Sequence, residues 1–435
     1  MFILMALLFV LGYLAIALEH PLRINKAASA ILTGAAVWTV LMLGQNAIFP
    51  EGGHGGHEGL THHLLEHLGE IGSILFFLMG AMTIVELVDV HEGFRVITDR
   101  ITAKKKYALL WVICLLSFFM SAALDNLTTT IVMCALLRKL IKDKETLWTF
   151  AGMVVISANA GGAWSPIGDI TTIMLWIGGQ VTTFNIIAKL IIPSLVCLIL
   201  PLLWMARVVK GEVERPDAVR PSGHHGGNVT EGERKLVFTL GVGALLFVPV
   251  FKAVTHLPPF MGVMLGLGVL WVVTEVIHMR HGVDKRGDLM VTAVLRRIDM
   301  PSVLFFLGIL VAVAGLQVAG HLTLLAQGLD HSFGGDIYLI NGAIGVLSSI
   351  VDNVPLVAAA MGMYPMTIYP PDHLFWELLA LCAGTGGSLL IIGSAAGVAA
   401  MGILHIDFIW YIKRMMIPAA IGYFGGMATF WLMFH

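Results

Sequence analysis

Long apolar stretches, separated by short polar segments, account for almost the whole chain. A membrane-spanning helix needs about 20 consecutive apolar residues. The stretches that meet this requirement are 2–19, 27–49, 69–90, 145–178, 184–209, 236–254, 260–279, 302–320, 374–404 and 415–434. Two of these ten, 145–178 and 374–404, are too long for one straight helix, and each has a glycine cluster in its middle. We expect each of the two to be a broken helix.

Two further apolar stretches, 107–140 and 336–367, are each interrupted by an Asp-Asn pair. The first is flanked by basic residues on both sides, at 95–106 and 138–144. Because Lys and Arg accumulate on the cytoplasmic side, both ends of this stretch are expected there. The second lies within 298–412, which contains no Lys or Arg, so both of its ends are expected outside. The pattern predicts two re-entrant hairpins that enter from opposite faces.

The distribution of the other basic residues agrees with this threading. Only Lys189 and Lys252 fall at extracytoplasmic helix ends; the remaining Lys and Arg lie at or beyond cytoplasmic ends. The threading places both chain termini outside the cytoplasm.

The two halves of the chain resemble each other. The Asp-Asn pair at 125–126 recurs at 352–353, and the Gly-Gly pair at 161–162 recurs at 386–387, with offsets of 227 and 225 residues. Each half holds five spans, and an odd number means that the second copy is inverted. Such repeats are typical of secondary transporters, whose substrate site lies near the membrane midplane where discontinuous helices meet.

The predicted fold is an all-α polytopic membrane protein of ten spans and two hairpins. Its parts are a first repeat, 1–209, with hairpin 107–140 and broken helix 145–178; a cytoplasmic linker, 210–232; and an inverted second repeat, 233–435, with hairpin 336–367 and broken helix 374–404.

Composition excludes a soluble protein. The chain is 57% hydrophobic and 12% charged, whereas a soluble domain carries roughly 25% charged residues. The formal net charge of −2 indicates neither an acidic nor a basic partner, and no nucleic acid; membrane lipid is the expected surrounding. The four cysteines all lie in apolar stretches and are expected to be core residues, without a disulfide, a metal or a cofactor.

Three carboxylates, Asp125, Asp169 and Asp352, fall at the predicted breaks. A charged side chain inside the membrane is costly and is therefore a functional candidate. Hydroxyl and amide side chains cluster around them, and such oxygen-rich sets suit hard cations. The predicted cation and proton site comprises Asp125, Asn126, Thr128, Asn159, Asp169, Thr171, Thr172, Ser348, Asp352, Asn353, Ser388 and Ser394.

A buried carboxylate can bind either a proton or a metal cation, so Na⁺ (or Li⁺) and H⁺ would compete for it. If the charged site cannot cross the membrane empty, the two ions exchange. No basic residue lies near the breaks in the sequence, which weighs against an anionic substrate. A Na⁺-coupled carboxylate or oxyanion carrier of the same fold stays open as the alternative, as does a channel or an intramembrane enzyme.

Three stretches carry a family resemblance: SAALDNLTTT at 121–130, NAGGAWSPIGD at 159–169 and SSIVDNVP at 348–355. They resemble NhaD-type Na⁺/H⁺ antiporters of the ion transporter superfamily, which also holds dicarboxylate/sodium symporters and arsenite permeases. The resemblance covers nearly the whole chain. It implies a multi-pass protein of the inner (plasma) membrane, a homodimer with scaffold and transport domains, an elevator-like movement, and transport roles for the hairpin-tip and broken-helix polar residues. The second broken helix differs from the first, since it has Ser394 at the position that corresponds to Asp169.

Two other polar features have open roles. Glu86, near the cytoplasmic end of the third span, could pair with a nearby Arg or Lys or line the ion path. The segment 50–68, expected to be an outer loop, holds five histidines between His54 and His67. It could bind a transition metal or sense pH, but a solvated loop is the simpler interpretation.

Overall fold

The structure is a computed structural model that describes residues 1–17, 19–49, 56–98, 101, 103–214, 229–279, 289–350 and 352–435. Its described part is almost entirely helical. The helices of the first half are α1 (Phe2–Ala17), α2 (Glu19–Leu22), α3 (Lys26–Leu43), α4 (Gln45–Ile48), α5 (Gly56–Val90), α6 (Arg95–Thr98), α7 (Lys106–Leu124), α8 (Asn126–Leu140), α9 (Lys144–Ala163), α10 (Ile170–Ile177) and α11 (Thr183–Val208).

The second half contains a similar series. Its helices are α12 (Glu231–Thr255), α13 (Pro259–Met279), α14 (Val291–Val294), α15 (Met300–Val318), α16 (His321–Phe333), α17 (Ile337–Leu347), α18 (Asn353–Met363), α19 (Leu374–Gly386), α20 (Ala395–Leu404) and α21 (Phe408–Phe434), with a 3₁₀ turn at Ile391–Gly393. Most of the predicted linker, 215–228, lies outside the described residues.

Eight of the described helices are long and apolar enough to cross a membrane: α3, α5, α7, α11, α12, α13, α15 and α21. Shorter apolar helices accompany them, including α1, α17, α18, α19 and α20. Large apolar side chains remain exposed on α1, α12 and α13, as expected for surfaces that face lipid. The predicted all-α polytopic fold is confirmed.

Helix α5 begins earlier than the sequence analysis expected. The outer loop was predicted to reach residue 68, but the helix starts at Gly56 and runs for 35 residues, about 52 Å at 1.5 Å per residue. Pairs three residues apart on one face, His63–Glu66 at 3.7 Å and His67–Glu70 at 3.4 Å, accompany the added turns. His54 lies outside the described residues, and within them no group of three or more His, Cys, Asp or Glu could hold a metal.

Helices α7 and α8 form a hairpin around Asp125. The backbone amide of Lys106 donates to Gly211, and that of Lys142 donates to Glu214, so both open ends of the hairpin bind one short segment after α11. The two ends therefore lie on the same side of the molecule, as in a re-entrant hairpin.

Helices α17 and α18 form the second hairpin. The end of α18 lies beside the start of α17, since the Tyr364 hydroxyl donates at 3.0 Å to Asp330, seven residues before α17 begins. Asp336 caps the start of α17 by accepting from the amide of Tyr338 at 2.7 Å. Again both ends lie on one side.

The long apolar stretches 145–178 and 374–404 are each broken in the middle. The first is α9 and α10 with an irregular segment 164–169; the second is α19, the 3₁₀ turn and α20. At one side of the molecule Trp148, near the start of α9, donates to Leu404 at the end of α20 at 3.0 Å. At the other side the amide of Asp372, before α19, donates to Gln180, after α10, at 2.8 Å. The two broken helices therefore run antiparallel.

Each hairpin packs on the broken helix of its own half at backbone distance. A Cβ on Gly161 would lie 2.1 Å from the carbonyl oxygen of Phe118, and a Cβ on Gly386 would lie 2.0 Å from that of Gly345. One hydroxyl secures each contact: Ser121 donates to Ala158 at 2.6 Å, and Ser348 donates to Ala383 at 2.8 Å. These contacts recur with the sequence offsets of the repeat, and with the antiparallel broken helices they favour the predicted inversion.

The remaining helices surround these two units. Helix α3 crosses α15 closely, where a Cβ on Gly308 would lie 2.4 Å from the backbone of Ala30, and α1 packs on α3. Helix α11 crosses α21 at Gly422, where a Cβ would lie 2.4 Å from the Cys197 carbonyl. In lipid, burying apolar side chains does not favour helix association, because the lipid tails are equally apolar. Small residues at such crossings let the two backbones approach closely and pack instead.

Replacing Gly386 by alanine tests the close approach of hairpin and broken helix. The new methyl group cannot share space with the Gly345 carbonyl, so α17 must move away. We expect Gly386→Ala to destabilise the purified protein by about 1–3 kcal/mol, the usual range for overpacking, seen as a lower Tm in detergent. Gly268→Ala in α13 is the control, since nothing lies within 4 Å of its new Cβ. An equal Tm for both variants would contradict the packing described here.

Candidate functional site

Asp169 occupies the centre of the polar cluster. It lies at the end of the break between α9 and α10, is buried, and caps α10 through the backbone amide of Thr171 at 2.9 Å. The same oxygen accepts the Thr171 hydroxyl at 2.8 Å. Short polar caps suit a helix that begins inside the membrane, because its first amides have no other partner there.

The tips of both hairpins meet at this carboxylate. Asn126, the first residue of α8, donates its amide to the second carboxylate oxygen of Asp169 at 2.6 Å. Asn353, the first residue of α18, points its amide at both oxygens, 3.4 Å from each. Two residues that are 227 positions apart in sequence thus converge on one carboxylate.

Asn159 joins the first half to the second broken helix. Its oxygen accepts from Asn126 at 3.0 Å, and its nitrogen donates to the hydroxyls of Ser388 at 2.9 Å and Ser394 at 3.0 Å. Ser394 also caps α20 through Gly397 at 3.1 Å. The connected network is therefore Asp169, Thr171, Asn126, Asn353, Asn159, Ser388 and Ser394.

The structure does not bring all the predicted residues into this network. Thr172 bonds back to its own helix cap at Asp169, and Ser348 donates to the Ala383 carbonyl. Thr128 pairs with Asp125, donating its amide at 2.7 Å and its hydroxyl at 2.9 Å. Thr172 and Ser348 therefore hold the backbone around the site, while Asp125 and Thr128 form a separate pair beside it.

Asp125 has a strained backbone. Its φ of 81° and ψ of 161° fall in a region that glycine alone adopts readily. Such a residue costs of order 1–3 kcal/mol, and strained residues cluster at functional sites. Asp352, at the tip of the other hairpin, has an ordinary φ of −50°. The two hairpin tips thus differ in conformation although their sequences match.

Asp352 has a basic neighbour, contrary to the expectation that none lies near the breaks. Its second carboxylate oxygen is 3.9 Å from the ammonium of Lys26, the first residue of α3. No local sequence pattern signals this contact, because the two residues are more than 300 positions apart. Among the described residues, neither Asp125 nor Asp169 forms an ion pair.

Buried oxygens near the first hairpin tip have no bonded partner. The hydroxyls of Thr129 and Thr130, on the first turn of α8, are buried and lack a hydrogen-bond partner within the described part of the chain. Buried hydroxyls are normally hydrogen-bonded, so these two are candidates for contacts that the described residues do not supply. They add uncommitted oxygen atoms next to Asn126.

A cavity of about 560 Å³ leads toward this region from the end of the molecule where α5 finishes and α15 begins. We call it the vestibule; Thr128 lies in its lining. Its charged lining residues are the carboxylates Glu19, Glu86, Asp89 and Asp299 and the basic Lys26 and Arg297. Glu86 lies 4.0 Å from Arg297 and also lines the vestibule, so the structure favours both roles considered for it.

One buried carboxylate was missed by the sequence analysis. Glu377, on the first turn of α19, is fully buried and accepts from Lys189 at 3.1 Å and from Asn185 at 3.0 Å. Both donors belong to α11, so the pair ties the two halves together. An acidic residue inside a predicted span was the available signal, since such residues mark functional or structural polar contacts.

Comparison with known proteins gives the family. The family model described as "Citrate transporter" matches residues 3–379. The chain belongs to this family.

Several named proteins are similar to this chain over almost its full length. Sodium/proton antiporter 1 of Arabidopsis thaliana is 48% identical over 98% of this chain and 71% of its own length. Sodium/proton antiporter 2 of the same plant is 45% identical over 98% of both chains. The Na⁺/H⁺ antiporter NhaD of Vibrio cholerae serotype O1 is 31% identical over 92% of this chain and 84% of its own. The resemblance to NhaD-type proteins is confirmed, and the chain is a multi-pass membrane transporter, not an enzyme.

The bridging role of Asn159 can be tested by Asn159→Ala. The variant loses the hydrogen bonds that join Asn126 to Ser388 and Ser394, so we expect transport to fall at least about 100-fold, as for residues that position a reacting group. The measurement is substrate-driven transport in proteoliposomes.

Asn341→Ala is the matched control for this variant. Asn341 is equally buried but donates to backbone carbonyls of Ile337 and Phe375, away from the network. We expect Asn341→Ala to keep transport even if its Tm falls. Equal loss of transport in both variants at equal protein yield would contradict a specific role for Asn159.

Proposed function

We propose that the chain exchanges Na⁺ (or Li⁺) for H⁺ across the membrane by alternating access, with cation and proton competing for buried carboxylates. The observation that carries the proposal is the convergence of both hairpin tips on Asp169, with the second broken helix joined to the same network through Asn159. The relatives named as sodium/proton antiporters support it. We place the ion in the network around Asp169, the central carboxylate, with Asp125, Thr128 and Asp352 of the hairpin tips bordering it. Thr172 and Ser348 hold the backbone of this site.

The amides around Asp169 suggest how one site serves two ions. Asn126 and Asn353 present their NH₂ groups to the carboxylate, which satisfies its charge without a metal. A cation such as Na⁺ needs oxygen ligands instead. Turning an Asn side chain over exchanges its NH₂ for its carbonyl oxygen and converts a donor into a ligand. The ionised carboxylate without a cation therefore favours the NH₂ orientation, and a bound cation favours the carbonyl orientation of the same amides. A proton and a cation both occupy the carboxylate oxygens, so the two ions exclude each other.

The vestibule is the proposed route to the site in the state described here. Its charged lining has four carboxylates against two basic residues, and such a lining concentrates cations. The vestibule lies at the Lys- and Arg-rich end of the molecule, which the charge rule assigns to the cytoplasm. The structure then represents an inward-open state, with both termini on the extracytoplasmic side of an inner (plasma) membrane.

The alternative carrier of carboxylates or oxyanions has one observation in its favour. The matching family is described as a citrate transporter, and Lys26 supplies a basic group beside one hairpin tip. That ammonium already faces Asp352, however, and the route to it is lined mainly by carboxylates. An anionic substrate would meet repulsion along the vestibule, so cation exchange is the better-supported function.

Two further features of the proposal come from the family resemblance. The first is a homodimer with a scaffold of helices around a mobile transport unit. The second is an elevator-like movement of that unit. The inverted repeat provides the two similar half-sites that such a movement requires, as in other transporters built from inverted repeats.

Exchange by the purified protein tests the proposal directly. In proteoliposomes that carry an inside pH dye and an imposed pH gradient, we expect added Na⁺ or Li⁺ to dissipate the gradient, with choline as the inert control. Uptake of labelled citrate or succinate in parallel tests the alternative. Anion uptake without any cation-driven proton movement would overturn the proposal in favour of the carboxylate carrier.

Asp169→Asn tests the central carboxylate. Asparagine caps a helix as well as aspartate does, so the variant should fold. It removes the group that alternates between proton and cation, and we expect Na⁺-driven proton movement to disappear. Asp336→Asn is the matched control, an exposed cap of α17 outside the network, and should exchange like the unmodified protein. Substantial exchange by Asp169→Asn would show that another carboxylate carries the ion.

A further inference from the structure

The second hairpin tip carries a charge contact that the first one lacks. One oxygen of Asp352 caps α18 by accepting from Val354 at 3.1 Å, and the other faces the Lys26 ammonium at 3.9 Å. The side chains are only 16% and 24% exposed. A partly buried pair of this kind is screened less than a surface pair.

Lys26 is held in place by its own surroundings. Its backbone amide donates to Glu19 at 3.1 Å, and its ammonium lies 4.5 Å from the centre of the Phe305 ring. The phenol of Tyr13 also lies beside Asp352. Lys26, Phe305 and Tyr13 belong to α3, α15 and α1, which pack against one another. The contact therefore joins the hairpin tip to a separate group of helices.

The position of Lys26 also makes it reachable from the vestibule. It lines that cavity together with Thr128, which belongs to the first hairpin. An ion that arrives through the vestibule meets the ammonium before it meets the Asp352 carboxylate. A metal cation bound to the carboxylate would lie close to the ammonium, and the two positive charges would repel each other. Binding of the cation therefore weakens the contact between Asp352 and Lys26.

We propose that Lys26 is the built-in counter-ion of Asp352, which the transported cation displaces when it engages the second hairpin tip. This inference rests on the proposed function and names a residue that sets its affinity. The ammonium neutralises one carboxylate of the site whenever the metal cation is absent. The ammonium and the metal cation then compete for Asp352, and this competition sets the cation affinity. Asp169, which forms no ion pair with the described residues, is left to exchange protons.

Removing the charge should strengthen cation binding. We expect Lys26→Gln to lower the half-saturating Na⁺ concentration about tenfold, the smaller end of the effect of a charge within 4–6 Å of a carboxylate. The assay is Na⁺-dependent exchange in proteoliposomes at alkaline pH, where protons compete least. Lys26→Arg keeps the charge, so its half-saturation should stay closer to that of the unmodified protein than that of Lys26→Gln.

Lys144→Gln is the matched control. Lys144 is the first residue of α9, and its ammonium lies 4.5 Å from the Trp148 ring, as Lys26 does from Phe305, but it faces no hairpin carboxylate. We expect its half-saturation to be unchanged. An unchanged half-saturation in Lys26→Gln would overturn the inference. The inference would also be overturned if Lys26→Gln and Lys26→Arg lost the same share of maximal rate at a constant half-saturation. That result would indicate that Lys26 contributes to packing only.

A measurement on the unmodified protein covers the case in which Lys26→Gln fails to fold. Brief acetylation by acetic anhydride, read by peptide mass spectrometry, reports how free each lysine amine is. We expect Na⁺ to raise labelling of Lys26 severalfold while Lys144 stays constant, and choline to change neither. Constant labelling of Lys26 in saturating Na⁺ would overturn the inference. Na⁺/H⁺ exchange by the same preparation is measured separately. Failure of the counter-ion inference is thereby distinguished from failure of the proposed antiport function.

Discussion

The need to satisfy one carboxylate inside the membrane organises the rest of this structure. A charged Asp at the centre of a spanning helix costs roughly 2.5–3.5 kcal/mol when nothing compensates it. Asp169 receives the amides of Asn126 and Asn353 and both donors of Thr171. Those donors exist only because two hairpins end, and a helix breaks, at the same place. Interrupted helices, glycine contacts and polar caps are therefore parts of one solution to the same desolvation problem.

The two halves share a backbone plan but differ in chemistry. The first contributes Asp169 and Asn159, while the corresponding positions of the second are Ser394 and Gly384. The first hairpin tip is strained at Asp125, whereas the second is relaxed and faces an ammonium at Asp352. The two halves thus present similar backbone contacts around the network. The acidic chemistry is concentrated in the first half, and the second half supplies hydroxyls and an amide.

Sequence alone predicted the features that local pattern controls. The interruptions were predicted from Asp-Asn pairs inside apolar stretches and from glycine clusters inside overlong spans. Such pairs and clusters are rare in continuous membrane-spanning helices, so they indicate a break. It did not predict Lys26 beside Asp352 or Lys189 beside Glu377, since a contact between distant residues leaves no local signal. The predicted start of α5 was wrong for another reason. The segment before residue 69 is rich in histidine and glycine and therefore resembles a loop, although it is helical and contains pairs such as His63–Glu66. Thr172 and Ser348 lie near the polar network, but their hydroxyls bond to backbone carbonyls, an orientation that the sequence pattern does not reveal.

The size of the vestibule bears on where an ion loses its hydration shell. At about 30 Å³ for each molecule in the liquid, a 560 Å³ cavity has room for on the order of 20 waters. On the proposed route, the cavity has room for the water shell of an ion as far as Thr128. The free-energy cost of stripping water then falls on the final few ångströms, where amide and hydroxyl oxygens replace it. Discrimination between ions of different radius would consequently depend on those last oxygens alone, and widening the vestibule should leave ion preference unchanged.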